Sequence, residues 1–296
     1  MRILITGING FIGQHLAKEL LKRGDIVIGL GQNKKCKVAS VTNYYSGSVL
    51  DKKLITRAMK DVEVVIHLAA LTSHKEIVNN RFETLETNFL GTKKVLDAFS
   101  KSKTAKKFFY ASTGKVYGKI VDLPISEKHP AHPLNILGKS KLITEQLIDF
   151  YNDNQKAFII FRIFNVYGSG QKESFLMPTI LKQLQQNEIV LGDIVAKRDY
   201  VFIDDVICAF ILAIEKKGLL GILIYNICTG VGSSAAGIIK IINKITGREI
   251  TIKKNPHLLR DDEMKDEYGS FALIKKNLGW EPKVSLEEGL KILCKQ

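Results

Sequence analysis

The chain has 296 residues, of which 45% are hydrophobic, and a formal net charge of +14. This length and composition support one large domain or two modest ones with a real core, and they exclude a disordered chain. The charge alone would suit nucleic-acid binding. However, the lysines are spread in small groups without a basic helix or interleaved aromatic residues, so we expect no nucleic-acid partner. A small anionic ligand such as a nucleotide diphosphate fits a few of them better.

The chain contains no segment that predicts membrane insertion. The first residues, MRILITGING, turn to Thr and Gly after four apolar positions, which is not the pattern of a signal peptide. The most apolar later stretches, 201–214 and 218–228, are interrupted by aspartates or are too short to cross a bilayer. The four cysteines form no CxxC pair and have no histidine in ligand spacing, so we expect reduced thiols, no metal and a cytoplasmic protein.

Short apolar, β-branched runs alternate with stretches of helical period in the first half of the chain. The predicted strands are 2–6, 26–30, 63–69, 107–112 and 157–161, and the predicted helices are 11–24, 83–101 and 134–152. Continuous apolar strands separated by helices indicate a parallel sheet that is covered on both faces. The pattern therefore predicts an α/β fold with a Rossmann-type doubly wound sheet.

From about Phe175 the regular alternation of strands and helices gives way to a mixed order of elements. Helices are predicted at 176–186, 204–217, 233–247 and 286–295, and strands at 200–203 and 222–228. We therefore predict a dinucleotide-binding domain at 1–165 and a smaller mixed α/β lobe at 166–296 that binds the substrate. Some segments of that lobe, at about 195–230, are expected to return to the first domain.

A glycine-rich turn lies between the first predicted strand and helix. Gly7, Gly10 and Gly13, with Phe11 and Ile12 between them, form a TGxxGxxG motif. Such glycines allow a tight turn, the approach of a pyrophosphate to the backbone, and close packing of helix on strand. The motif therefore predicts a dinucleotide cofactor.

The end of the second predicted strand bears on the choice of cofactor. An acidic residue there would bind the ribose hydroxyls of NAD, whereas a basic one accommodates the 2′-phosphate of NADP. This chain has Gly31, followed by Gln32, Asn33, Lys34 and Lys35. The missing acid and the adjacent lysines favour NADP, with NAD as the alternative.

Nine motifs along the chain resemble those of the extended short-chain dehydrogenase/reductases, in the branch that comprises nucleotide-sugar 4-epimerases, 4,6-dehydratases and 4-ketoreductases. They are TGINGFIG, VVIHLAA, TNFLGTKKVLDA, YASTGKVYG, GKSK, FRIFNVYGSGQ, RDYVFIDDV, YNICTG and LGWEPKVSLEEGL. The resemblance spans essentially the whole chain. It implies an NAD(P)-dependent enzyme with a nucleotide-sugar substrate, and a homodimer formed through helices 83–101 and 134–151.

The resemblance also assigns roles in cofactor binding to residues outside the glycine turn. Ser48 and Val49 match the pair beside the adenine, although the family often has Asp at the first position. Leu68, Ala69 and Ala70 match the segment that lines the cofactor phosphates and the nicotinamide ribose. These assignments are what the resemblance implies, and the spacing of the residues alone does not give them.

Further matches concern the reacting groups and the substrate. Thr113 matches the residue that hydrogen-bonds the reacting sugar oxygen, and Lys141 matches the lysine that holds the nicotinamide ribose. Asn165, Arg198 and Arg260 match groups that bind the phosphates of the nucleotide sugar. Arginine suits that role because its planar fork binds two phosphate oxygens.

The chain departs from the family at two places that matter for chemistry. Leu137 stands where the family has the tyrosine of its YxxxK motif, which exchanges a proton with the substrate. Gly114 and Lys115 stand where similar dehydratases have Asp-Glu. Lys115 is a candidate substitute proton carrier, with a solvated loop lysine as the alternative, and His129 and His132 are weaker candidates.

These departures leave three functions open. Loss of one acid–base group lowers a rate by about 10²- to 10⁴-fold. A slow enzyme, or one that uses a different proton carrier, is therefore as consistent with Leu137 as an inactive one. The first hypothesis is an NADP-preferring reductase of a 4-keto nucleotide sugar in surface-glycan biosynthesis. The second is a nucleotide-sugar 4-epimerase or an atypical dehydratase. The third is a catalytically silent homologue that binds cofactor and nucleotide sugar.

Overall fold

The structure, a computed structural model, describes residues 1–184, 186, 188–259 and 266–295. The strands are β1 (Arg2–Thr6), β2 (Ile26–Gly31), β3 (Asn43–Ser46), β4 (Val64–His67), β5 (Lys107–Thr113), β6 (Ala157–Ile163), β7 (Asn165–Tyr167), β8 (Glu188–Leu191), β9 (Lys197–Phe202), β10 (Gly221–Ile227), β11 (Gly232–Ser233), β12 (Thr251–Lys254) and β13 (Asp266–Glu267). The helices are α1 (Phe11–Lys22), α2 (Lys52–Ala58), α3 (His74–Asn79), α4 (Arg81–Leu85), α5 (Thr92–Lys101), α6 (Ile136–Phe150), α7 (Leu176–Gln183), α8 (Ile203–Glu215), α9 (Ala235–Thr246), α10 (Ala272–Leu278) and α11 (Leu286–Cys294).

A sheet of seven parallel strands, in the order β10-β6-β5-β4-β1-β2-β3, forms the centre of the molecule. Ile3 and Ile5 of β1 point into the core on one face, and Leu4 points into the core on the other. Burial on both faces explains why this strand reads as a continuous apolar run. The predicted doubly wound α/β fold is confirmed. The strands from β1 to β3 are added toward one edge of the sheet and those from β4 onward toward the other, so the strand order reverses between β1 and β4. In such sheets a crevice for ligands opens at this point.

A second, smaller sheet is built around β9, which pairs with β7, β11 and β13. A separate pair of strands, β8 and β12, lies in the same half of the chain. By contrast, β10 forms an edge of the central sheet, and α8 packs beside α1. None of the helices in the described part of the chain is long and apolar enough to cross a bilayer.

The predicted helix 83–101 is not continuous. It consists of α4, a π-helical turn at Glu86–Gly91, and α5. The side chain of Asn88 accepts a hydrogen bond from the Leu71 N–H at 2.8 Å and donates one to the Leu71 carbonyl oxygen at 3.1 Å. The wider turn thus lets Asn88 bind the segment that follows β4, which is a local feature that helical periodicity does not reveal.

Candidate active site

The glycine turn leaves bare backbone at the carboxyl end of β1. Gly7 has a φ of +73°, and a Cβ atom there would lie 2.7 Å from the Ala69 nitrogen. A Cβ on Gly13 would lie 2.5 Å from the Gly7 carbonyl oxygen. A Cβ on Gly10 would meet only that same oxygen, at 3.1 Å. Among the described residues no side chain caps α1, so the N–H groups of its first turn and the open face at Gly10 fit an anion such as a phosphate.

The loop after β2 is tied to the glycine turn by two residues that the sequence did not single out. The Asn9 side-chain amide donates to the Asn33 side-chain oxygen at 3.2 Å and to the Tyr44 hydroxyl at 3.1 Å. The Tyr44 hydroxyl donates to the carbonyl oxygens of Gly31 at 3.0 Å and Asn33 at 2.6 Å. A Cβ on Gly31 would lie 3.2 Å from that hydroxyl. Tyr44 therefore occupies the place of a side chain at position 31, and residues 32–35 stay exposed.

The other predicted cofactor residues lie around the same crevice. Residues 68–70 directly follow β4, and the Ala69 N–H donates to the Thr6 hydroxyl oxygen at 3.3 Å. Val49 is buried, and its side chain would contact a Cβ placed on Gly91. Ser48 accepts a hydrogen bond from a nearby backbone N–H through its hydroxyl. The structure thus brings the 68–70 segment next to the glycine turn, whereas the Val49 side chain packs into the core.

Three candidate catalytic positions come together where β5 ends and α6 begins. Thr113 is the last residue of β5, and its hydroxyl accepts the Lys115 N–H at 3.3 Å. A Cβ on Gly138 would lie 2.4 Å from the Lys115 carbonyl oxygen, so the first turn of α6 lies directly against this loop. Leu137 is half-buried and belongs to none of the apolar clusters that the described residues form. It lies beside the Thr113 loop without serving as a core residue.

Lys141 lies one helical turn after Leu137 and is almost fully buried. Its Nζ donates a 2.7 Å hydrogen bond to the Ala111 carbonyl oxygen and lies 4.7 Å from the centre of the Tyr110 ring. Burial lowers the pKa of Lys141 to about 8, and the Glu145 carboxylate opposes that shift. An ammonium group is therefore fixed near the carboxyl end of β5, by the residue that the resemblance predicts to bind the nicotinamide ribose.

A buried polar cluster fixes β5, β6 and α6 relative to one another. Arg162 of β6 donates to Glu145 of α6 from Nε at 3.2 Å and from Nη2 at 2.7 Å. The Ser112 hydroxyl donates to the same carboxylate, and the guanidinium stacks 4.8 Å from the Tyr117 ring centre. Because buried charges must be paired and hydrogen-bonded, this cluster holds Thr113 and its neighbours in one arrangement.

His67, at the end of β4, is a buried imidazole in the same region. Its Nδ1 is 2.7 Å from the Thr6 hydroxyl and its Nε2 is 2.8 Å from the Thr92 hydroxyl. Burial, with a smaller effect of the Lys141 ammonium, lowers the pKa of His67 to about 3. The imidazole is therefore neutral at ordinary pH, and its two hydrogen bonds link β1 to α5.

Glu267, which the sequence did not indicate as a site residue, pairs with two of the predicted ones. It is 3% exposed and forms a hydrogen-bonded ion pair with the Lys115 ammonium. The Arg198 Nε is 3.7 Å from the same carboxylate, and the two residues are register partners on β9 and β13. The predicted proton carrier and the predicted phosphate-binding arginine therefore share one buried anion.

The remaining predicted residues are placed as follows. The Asn165 side-chain amide donates to the Asp199 carbonyl oxygen at 3.0 Å, which positions it beside β9. Arg260 lies outside the described residues. His129 accepts the Val121 N–H at 2.9 Å, and His132 is an exposed residue of the same loop.

Comparison with known proteins shows the family of the chain. A family model described as GDP-mannose 4,6 dehydratase matches residues 4–293. The chain belongs to this family. The predicted membership of the extended short-chain dehydrogenases/reductases that act on nucleotide sugars is thereby confirmed.

Members of the family that are similar over their full length differ in activity. The chain is 34% identical to a putative UDP-glucose 4-epimerase of Methanocaldococcus jannaschii, over 98% of this chain and 96% of the relative. It is 29% identical to the GDP-6-deoxy-D-mannose reductase of Pseudomonas aeruginosa, over 99% and 95%. The UDP-glucose 4-epimerase of Thermotoga maritima, solved with UDP-glucose, superposes with a TM-score of 0.90 at 32% identity, over 100% and 98%. The Bifidobacterium longum UDP-glucose 4-epimerase, solved with NAD+ and UDP, gives 0.90 at 26%, over 99% and 97%.

Proposed function

We propose that the protein is an NADP-preferring oxidoreductase that reduces a 4-keto nucleotide sugar in the biosynthesis of a surface glycan. The observation that carries this proposal is the Lys115 ammonium, which is paired with Glu267 and lies in the loop between Thr113 and Leu137. Reduction of a ketone needs a proton donor for the oxygen, whereas oxidation of a hydroxyl needs a base. A paired ammonium can donate a proton, whereas the side chain of a leucine can act neither as a proton donor nor as a base.

In this proposal each group has a defined task. The Thr113 hydroxyl orients the ketone oxygen, and Lys115 supplies the proton that this oxygen takes up. Lys141 holds the nicotinamide ribose through the N–H groups that its bond to Ala111 leaves free. When bound, the reduced dinucleotide supplies the hydride that the ketone carbon receives. Loss of Lys115 should therefore lower turnover more than it weakens cofactor binding.

The cofactor preference rests on the loop after β2. The Tyr44 hydroxyl occupies the space of a side chain at position 31, and the exposed Lys34 and Lys35 follow in the loop. Lysine side chains can neutralise a 2′-phosphate, whereas no carboxylate stands at this strand end to bind free ribose hydroxyls. The related Bifidobacterium longum enzyme was solved with NAD+, so NAD is the alternative cofactor.

The nucleotide part of the substrate is assigned to the second lobe. A pocket of about 190 Å³ is lined by residues 192–195, Lys254, Pro256 and Leu259. We assign the base to this pocket, because it is too small for a whole ligand and lies in the same lobe as Arg198. Asn165, Arg198 and Arg260 are assigned to the phosphates. Similar proteins use either UDP or GDP sugars, so the nucleotide is left open.

The proposal is tested with purified protein, NADPH and a panel of UDP- and GDP-linked 4-keto sugars. We expect that at least one 4-keto sugar of the panel causes a loss of NADPH absorbance and is converted to the 4-hydroxy sugar. The cofactor should be oxidised more slowly when NADH replaces NADPH. If every 4-keto sugar is returned unchanged with both cofactors, the reductase proposal is wrong.

A 4-epimerase is the second candidate, because three of the similar proteins described above are UDP-glucose 4-epimerases or putative ones. Such a reaction begins with oxidation, and Lys115 would first have to release its proton. Conversion of UDP-glucose to its C4 epimer with catalytic NAD+ would favour this candidate over the reductase. An atypical dehydratase would instead release water from the same substrate.

A catalytically silent binding protein is the third candidate, because Leu137 removes the family's proton carrier. It would bind cofactor and nucleotide sugar in calorimetry without turnover, and Leu137→Tyr would create activity. In contrast, a dedicated mechanism without tyrosine predicts that Leu137→Tyr is slower than the parent protein.

We also propose a homodimer that works in the cytoplasm, where four free thiols are stable. Phe82 of α4 and Phe150 of α6 are 87% and 88% exposed, and Leu85 and Ile143 add apolar surface on the same neighbouring elements. Exposed phenylalanines of this kind mark an interaction surface. A second copy that presents the same helices would cover this surface by two-fold symmetry.

A further inference from the structure

Three charged side chains meet where the two lobes face each other. Lys115 comes from the loop after β5, whereas Arg198 and Glu267 lie on β9 and β13 of the second lobe. Both cations are paired with the Glu267 carboxylate, which is 3% exposed. The Lys115 side chain must therefore reach from the end of the central sheet to the second lobe.

The backbone of Lys115 locates this side chain relative to the sugar. Its N–H is bonded to the Thr113 hydroxyl, and its carbonyl oxygen is packed against Gly138, next to Leu137. Both flanking positions belong to the proposed sugar-reacting site. A side chain that leaves this backbone and crosses to the second lobe borders the sugar ring. Lys115 and Glu267 thus form one wall of the proposed sugar site, and their ion pair sets the charge of this wall.

We propose that Glu267 determines sugar specificity: by neutralising Lys115, it makes the site select an uncharged sugar over a hexuronate. This inference rests on the proposed nucleotide-sugar site. An unpaired lysine at this wall would attract the carboxylate of a uronate. With Glu267 present, the ammonium is already satisfied, and a second carboxylate would meet a buried like charge. Arg198 keeps the cluster at a net charge of +1, which suits the diphosphate and leaves the sugar end neutral.

The test measures binding and needs no turnover. UDP-glucose is compared with UDP-glucuronic acid, and GDP-mannose with GDP-mannuronic acid, by calorimetry in the presence of NADP+. We expect the wild-type protein to bind the neutral sugar of its preferred nucleotide at least about tenfold more tightly than the uronate. In Glu267→Gln we expect this ratio to move about tenfold or more toward the uronate, because the lysine is released.

Asp266→Asn is the matched control. Asp266 precedes Glu267 on β13 and pairs at 3.9 Å with Lys197, so the substitution removes the same charge from the neighbouring position. We expect its neutral-to-uronate ratio to equal that of the wild-type protein. A purely structural role of β13 would change both variants, or would weaken both sugars equally.

A second variant covers the case in which Glu267→Gln does not fold. Lys115→Met leaves Glu267 with Arg198 alone, and we expect it to discriminate against the uronate at least as strongly as the wild-type protein. A Lys115→Met protein that gains affinity for the uronate overturns the inference. So does a wild-type protein that binds both sugars equally, or a folded Glu267→Gln protein with an unchanged ratio. If the wild-type protein binds no nucleotide sugar at all, the proposed function itself is wrong.

Discussion

The Lys141 Nζ donates a 2.7 Å hydrogen bond to the Ala111 carbonyl oxygen in a site where this lysine is only 4% exposed. Burial lowers its pKa to about 8, whereas an unfolded chain gives lysine a pKa of about 10.4. Between these values the unfolded chain binds more protons than the folded one, so the Lys141 contribution to stability rises with pH in this window. Below the lower value the full penalty of the buried charge applies.

We therefore predict a pH-dependent difference between the wild-type protein and Lys141→Met. From about pH 7.5 to about pH 9.5, the free energy of unfolding of the wild-type protein should rise by roughly 2 kcal/mol relative to the variant. Denaturant titrations at several pH values measure this difference. The contributions of the other titrating groups cancel because both proteins contain them. Lys139→Met, at an exposed position of the same helix, should show no such trend. A constant difference for Lys141→Met would contradict the buried ammonium.

The glycine turn gives a prediction that separates folding from cofactor binding. In Gly13→Ala the new Cβ would lie 2.5 Å from the Gly7 carbonyl oxygen, so backbone must move, and we expect a loss of about 1 to 3 kcal/mol in stability. In Gly10→Ala the Cβ meets only one atom, at 3.1 Å, and the φ of −72° suits alanine. We expect nearly normal thermal unfolding but at least about tenfold weaker NADPH binding, because the methyl group covers the bare backbone.

Fluorescence titration with NADPH and thermal unfolding of both proteins distinguish these effects. Equal NADPH affinity for Gly10→Ala and the wild-type protein would show that no phosphate approaches this residue. Equal stability of Gly13→Ala and the wild-type protein would contradict the close packing of α1 on the turn.

The glycine turn was predictable from sequence because strand, turn and helix are contiguous. Six of the seven strands of the central sheet were predictable for a similar reason, since they are apolar runs, whereas β3, with the sequence NYYS and no buried residue, was not predicted. By contrast, the short strand β13 has no apolar pattern, and the pairing of Glu267 with Lys115 joins residues 152 positions apart. No local pattern distinguishes a lysine that is held by a distant carboxylate from a lysine in solvent.

The same limit applies to the loop after β2. The sequence showed that an acid is missing at Gly31, but it did not show that the Tyr44 hydroxyl occupies the space. Helical periodicity likewise predicted one helix over 83–101. It could not indicate the π-helical turn, which occurs together with a tertiary hydrogen bond between Asn88 and Leu71.

Lys115 gives the sharpest prediction for catalysis. If it donates the proton, Lys115→Met should lower kcat by about 10²- to 10⁴-fold, with little change in the KM for NADPH. Lys119→Met, at an exposed position four residues later, is the matched control and should keep its full rate. Steady-state kinetics with the active 4-keto sugar measure both variants. An unchanged kcat in Lys115→Met would exclude the lysine as the proton donor.

The exposed phenylalanines of α4 and α6 give a prediction for assembly. Phe82 and Phe150 are 87% and 88% exposed, and a charged residue within a two-fold interface would face its own copy or apolar surface. We expect the wild-type protein to be a dimer and the double variant Phe82→Glu/Phe150→Glu to be a folded monomer. Light scattering coupled to gel filtration gives the masses, and circular dichroism checks the fold. Val121→Glu, which replaces an apolar residue that is 69% exposed in the loop after β5, should remain dimeric. A monomeric wild-type protein, or a dimeric double variant, would contradict an interface on these helices.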